Sequence, residues 1–159
     1  MTSARSALGL AGWLIVSFVA GGVGSLNMPG EWYASLAKPA WTPPGAAFGP
    51  VWTALYALMG IAAWLVWRRE GFRGSILALT LFLAQLVLNA AWTWLFFGLQ
   101  RPGLAFLEIA VLWAMILAVT ASFWRESRVA GALMLPYLAW VGFASFLNFA
   151  IWRMNRPGS

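Results

Sequence analysis

The segment "GSILALTLFLAQLVLNAAWTWLFFGLQ", residues 74–100, carries no charge over its whole length. A hydrocarbon layer about 30 Å thick is crossed by a helix of roughly 20 apolar residues, so this stretch can span it once. A helix buried in a water-soluble domain rarely runs so far without a charged residue. The same pattern recurs along the chain. Residues 6–30, 39–67 and 129–152 are also free of charge, and 102–124 is broken only by Glu108. The sequence therefore predicts an all-α membrane protein: a single domain over 1–159, built as a five-transmembrane-helix bundle with spans at about 8–26, 46–67, 75–97, 103–124 and 129–152.

Composition agrees and narrows the chemistry. Hydrophobic residues make up 62% of the chain and charged residues 9%, against roughly 25% charged in a soluble domain. The net charge of +6 does not describe a nucleic-acid binder. Its basic residues sit at helix ends (Arg5, Lys38, Arg68, Arg69, Arg73, Arg101, Arg125, Arg128, Arg153 and Arg156) rather than on one face, as anchors to lipid headgroups do. There is no cysteine, histidine or aspartate, which removes His- or Cys-based metal and haem sites and nucleophile–histidine triads. Glu31, Glu70 and Glu126 fall in expected connections. Glu108, the one acid inside a span, is expected to pair with Arg101 or to reach the headgroups, a proton or ion site being the alternative.

Three connections are short: "RREGFR", "LQRPG" and "RESRVAG". Short links make neighbouring helices antiparallel. The first connection, about residues 27–45, is long, and long loops in compact domains are functional or disordered. This one carries Trp32, Tyr33, Leu36 and Trp41 to pack, and Pro39, Pro43 and Pro44 to stiffen the backbone. It reads as a structured loop capping one end of the bundle. Small residues at Ser17, Gly21 and Ser25 predict close packing of the first helix, and Pro136 is expected to kink the fifth. The first apolar run is longer than the core of a signal peptide, although "AGGVGS" imitates a cleavage site. Six arginines on the N-terminal side against four basic residues on the loop side favour a cytoplasmic N-terminus.

Polar residues inside the spans form stripes. Gln85, Asn89 and Thr93 recur every fourth residue, flanked by Trp92 and Phe96. Tyr137, Trp140, Ala144 and Asn148 share a broad face, with Ser145 at its edge, and Trp52 lies one turn from Tyr56. Converging under the loop, these stripes would line a pocket for a flat, largely apolar ligand with a few polar handles. Spacing alone leaves a second reading open: Trp64, Trp67, Trp124 and Trp152 fit an interfacial belt, and the amides can simply tie helices together.

Three segments, "EWYASLAKPAWTPPGAAFGPVWTALY", "LNAAWTWLFFG" and "LPYLAWVGFASFLN", resemble the TspO/MBR family of tryptophan-rich sensory proteins, which includes the mitochondrial translocator protein (peripheral benzodiazepine receptor). The resemblance implies a five-helix bundle, often a homodimer, whose first loop closes a pocket for tetrapyrroles such as protoporphyrin IX and for benzodiazepine-type ligands. It implies binding roles for Trp32, Tyr33, Trp52, Asn89, Trp92, Trp140, Phe143, Ala144 and Leu147, to which the spacing above adds Tyr56. It brings no resident cofactor and no metal. The implied function is sensory, regulatory or transport. The alternatives are light- and oxygen-dependent porphyrin degradation through Trp52 and Trp140, and a porphyrin or lipid carrier. The family's sterol motif needs a tyrosine where this chain has Phe149, so sterol binding by that route is not expected. A start close to the first helix is similar to compact bacterial members, so the expected location is a bacterial cell membrane, inner or outer.

Overall fold

The computed structural model describes residues 1–157. Its elements are α1 (Ser3–Gly24), the short α2 (Glu31–Ser35), α3 (Gly45–Gly74), α4 (Ile76–Thr93) continuing into one π-helical turn (Trp94–Gly98), α5 (Pro102–Glu126) and α6 (Arg128–Met154). Five of these segments are long and apolar enough to cross a membrane, and no strand occurs among the described residues. The bundle closes as a ring in the order α1, α3, α6, α5, α4 and back to α1. Its centre is filled by Met59, Leu79, Phe82, Leu112, Ile116, Phe123 and Tyr137, all fully buried.

Local chemistry sets most of the boundaries. Thr2 caps α1 by accepting from the Arg5 N–H, and Ser127 caps α6 by accepting from the Ala130 N–H, the usual role of a hydroxyl at a helix start. Pro102 opens α5, where its missing N–H costs nothing. α6 runs continuously through Pro136, whose ring is exposed at the lipid-facing surface.

α1 begins at Ser3, ahead of the expected span at about 8, and two other boundaries depart from expectation for a visible reason. α3 does not end at Trp67 but continues through Arg68–Glu70 to a break at Gly71, where φ is 72°. The charges end the apolar run, not the helix: beyond the hydrocarbon layer a helix satisfies its own backbone as well as before. The span expected to end at residue 97 closes with a π-turn, in which the Leu99 N–H donates to the Trp94 carbonyl at 2.7 Å. Such turns are frequent at functional sites.

α1 is the least buried member of the ring and packs closely on α3 where side chains are small or missing. A Cβ on Gly60 would lie 3.0 Å from Leu14 Cα, and one on Gly21 would lie 2.6 Å from the Tyr56 ring. Small residues thus let the backbones approach closely, as in other lipid-embedded helix pairs.

Candidate functional site

The connection between α1 and α3 is ordered by three polar devices. Lys38 Nζ donates to the carbonyls of Tyr33 (2.7 Å) and Leu36 (3.0 Å), closing the exposed end of α2 while lying over the Tyr33 ring. Thr42 Oγ1 donates to the Pro39 carbonyl, forming a turn. Asn155, just past α6, accepts from the Ala37 N–H at 3.0 Å and donates to the Ala37 carbonyl at 2.9 Å. This last pair ties the middle of the loop to the far end of the chain.

The loop's aromatic residues then pack onto the bundle. Trp32 and Tyr33 meet the Phe96 ring edge-on, Tyr33 also meets Phe97, and Trp41 meets Phe143 at 5.6 Å. The π-turn makes this possible by presenting Phe96 and Phe97 together, with Phe96 stacked on Trp92 at 5.1 Å. A Cβ on Gly98 would sit 2.7 Å from Asn27 Oδ1, so glycine there admits the start of the loop. Burial of Tyr33 pushes its phenol up from its ordinary value, keeping it neutral.

Below the loop a chain of hydrogen bonds crosses the bundle. Tyr56 on α3 donates to Asn89 Oδ1 (2.5 Å). Asn89 Nδ2 donates to the Tyr137 hydroxyl (2.8 Å), which donates to Gln85 Oε1 (2.8 Å). Both α4 amides therefore face inward, as the four-residue stripe predicts, and both are engaged by tyrosines from other helices. A parallel set of bonds joins the loop ends of three helices: Trp92 Nε1 donates to Asn148 Oδ1, and Asn148 Nδ2 donates to the Pro102 carbonyl.

Aromatic rings line this polar chain on the loop side. Trp52 stacks on Tyr56 at 5.6 Å and meets Tyr137 edge-on. Trp140 contacts Phe48 at 5.9 Å and Phe143 at 5.5 Å. Its indole N–H is buried and has no hydrogen-bond partner.

The candidate residues thus fall into three connected groups. Trp52, Tyr56 and Asn89 meet through stacking and hydrogen bonds. Trp140 and Phe143 form a second cluster, and Ala144 packs against the same core. Trp32, Tyr33, Trp92, Phe143 and Leu147 share a cluster with Phe96 under the loop. In this structure they pack on one another. An open groove of about 340 Å³ lies beside Trp52 and Tyr56, bounded by Phe18, Gly21, Gly22 and Ser25 of α1. It faces outward between α1 and α3.

Some participants had no sequence signal. Phe48 lies in the first turn of α3, where an aromatic residue looks like any interfacial anchor. Asn155 follows the last apolar run and reads as the start of a tail. The expected pairing of Glu108 with Arg101 is not formed. Arg101 is exposed at the start of α5, whereas both Glu108 carboxyl oxygens are buried without a hydrogen-bond partner. Two turns of helix turn Glu108 toward the bundle rather than toward its headgroup end.

The TspO/MBR family model matches residues 8–153. The chain is 40% identical to the human protein named translocator protein over 138 residues, covering 84% of this chain and 82% of that one. It is 42% identical to a tryptophan-rich sensory protein of Cereibacter sphaeroides over 132 residues, covering 83% and 82%. It is 37% identical to the protein CrtK of Rhodobacter capsulatus over 150 residues, covering 92% and 91%. With five apolar helices long enough to span a bilayer, the chain is a multi-pass integral membrane protein, and it belongs to the TspO/MBR family.

Proposed function

We propose that this protein binds a flat, largely apolar ligand of the tetrapyrrole class, with protoporphyrin IX as the model compound, in the aromatic site beneath the loop. Benzodiazepine-type ligands fit the same reading. The observation that carries it is the indole N–H of Trp140, buried between Phe48 and Phe143 with no acceptor. A buried donor left unpaired costs about 1–3 kcal/mol, and a ligand carbonyl or carboxylate would remove that cost. The flanking rings supply stacking faces, and Trp52 supplies another on the same loop side of the polar chain, beside Tyr56 and Tyr137. The groove between α1 and α3 gives such a ligand a route from the bilayer to Trp52. The role built on this binding is sensory or regulatory, or carriage of the ligand, and the protein is taken to work as a homodimer in a bacterial cell membrane.

A second reading is supported by the contact of Trp52 with Tyr56 and Tyr137. Oxidisable indole and phenol groups lie together there, as light- and oxygen-dependent breakdown of a bound porphyrin would use. Tryptophan quenching by protoporphyrin IX, in the dark and then under illumination, tests both readings. Saturable quenching weakened by Trp52→Phe and Trp140→Phe supports the site, and loss of porphyrin absorbance only in light and only with both tryptophans supports the enzyme. Linear quenching identical in wild type and variants refutes both.

A further inference from the structure

The end of the bundle opposite the loop has a different chemistry. There the apolar run of α3 ends in Arg68, Arg69 and Glu70, and α1 begins with Arg5 in its first turn. The two helices are fastened at this level. The Trp64 indole N–H donates to the Ser6 carbonyl at 2.9 Å, and Gly9, lacking a Cβ, takes the Trp67 ring against its backbone. The Arg68 guanidinium lies over the Trp64 ring, 4.7 Å from its centroid. Just beyond, α3 breaks at Gly71. Between these parts lies an open hollow of about 290 Å³, lined by Met1, Arg5, Arg68, Arg69, Glu70 and Gly71.

Three arginines from two helices thus share one hollow with a single acid. A Cβ on Gly74 would lie 2.9 Å from Glu70 Oε2, so that carboxylate lies along its own helix. Among the described residues no ion pair neutralises Arg5, Arg68 or Arg69. Like charges held close repel, and an anion between them removes that cost. Guanidinium groups offer paired N–H donors that match phosphate oxygens, and stacking on Trp64 holds Arg68 ready in one orientation. The hollow sits where the uncharged runs of α1 and α3 meet their first charges, the level of lipid phosphates. We propose that Arg5, Arg68 and Arg69 form a binding site for a phosphate ester whose charge no cation of its own balances, as in the headgroup of an acidic phospholipid. Free phosphate shares that chemistry. This site lies apart from the aromatic one, and neither depends on the other.

The test counts lipids bound to the full chain by native mass spectrometry, with phosphatidylglycerol and phosphatidylcholine of the same acyl chains supplied equally in detergent. Wild type is expected to favour phosphatidylglycerol by about ten-fold or more at the first bound lipid. Arg5→Gln with Arg68→Gln should bring that ratio near unity. Arg125→Gln with Arg128→Gln removes as much charge from the same side of the membrane, outside the hollow, and should leave the ratio as in wild type. Arg68→Lys should keep only part of the preference, because an ammonium is a point charge without the fork. Ammonium phosphate, set against ammonium acetate of equal ionic strength, separates the two sources. Displacement of the bound lipid shows that free phosphate also fills the hollow, and its retention shows that the headgroup alone does; phosphate recognition stands in both cases. Equal binding of the two lipids by wild type overturns the proposal. So does a preference that survives Arg5→Gln with Arg68→Gln, or one lost equally in both double variants, since the arginines would then act only through net charge.

Discussion

The side-chain amide of Asn155 binds Ala37 as a neighbouring peptide unit would, accepting from its N–H and donating to its carbonyl. One residue after α6 thereby fixes a loop that precedes α3, and closes the bundle end over Trp92, Phe96 and Phe143.

Replacing Asn155 by Ala removes both bonds, each worth about 1 kcal/mol. The loop is expected to become markedly more sensitive to limited proteolysis near Ala37, while the helix content seen by circular dichroism stays the same. A bound porphyrin should also dissociate faster, since the cover over the site is loosened. An unchanged cleavage rate would show that Lys38 and the aromatic contacts hold the loop unaided.

Asn89 is the hub of the polar chain, serving Tyr56 and Tyr137 together. Asn89→Leu leaves the Tyr56 hydroxyl without its acceptor inside the bundle, at a cost of about 1–2 kcal/mol. The expected result is a lower thermal denaturation midpoint in detergent than that of wild type. The double variant Asn89→Leu with Tyr56→Phe should recover part of the loss, because no orphaned hydroxyl remains. If the double variant is no more stable than the single, the cost lies in packing and not in the unpaired group.

Gly60 and Gly12 separate close approach from mere smallness. A Cβ on Gly60 collides with the Leu14 backbone, whereas a Cβ on Gly12 meets nothing within 4 Å. Gly60→Ala should destabilise by about 1–3 kcal/mol, the usual cost of overpacking, and Gly12→Ala should not. Thermal denaturation of the two variants side by side gives the comparison. Equal midpoints would mean that α1 is free to shift outward.

The helices were legible because a bilayer imposes a long uncharged run on each crossing, as in residues 74–100. The inward face of α4 was legible for a related reason: in lipid, Gln85 and Asn89 cannot be left without partners. Their partners were not, since nothing in local spacing says that Tyr56 and Tyr137 reach them from α3 and α6. The π-turn at Trp94–Gly98 has no periodic signature, and it decides where Phe96 and Phe97 point. Glu108 was read from its distance in sequence to Arg101. Helical rotation instead buries its carboxyl oxygens, away from Arg101. The loop's order was visible in its prolines and aromatics, but its fastening to Asn155 is a contact across most of the chain, which no local pattern encodes.

The central claim is that the aromatic cluster around Trp140 is a binding site. Its most direct test is an absorbance titration of protoporphyrin IX, in the dark, into wild type and Trp140→Phe in nanodiscs, with empty nanodiscs as the reference. The account predicts a spectral shift that saturates at one ligand per chain in wild type, with affinity reduced about five- to ten-fold by the variant, the loss of one hydrogen bond. A shift that follows lipid content and is the same with wild type, variant and empty discs would contradict it.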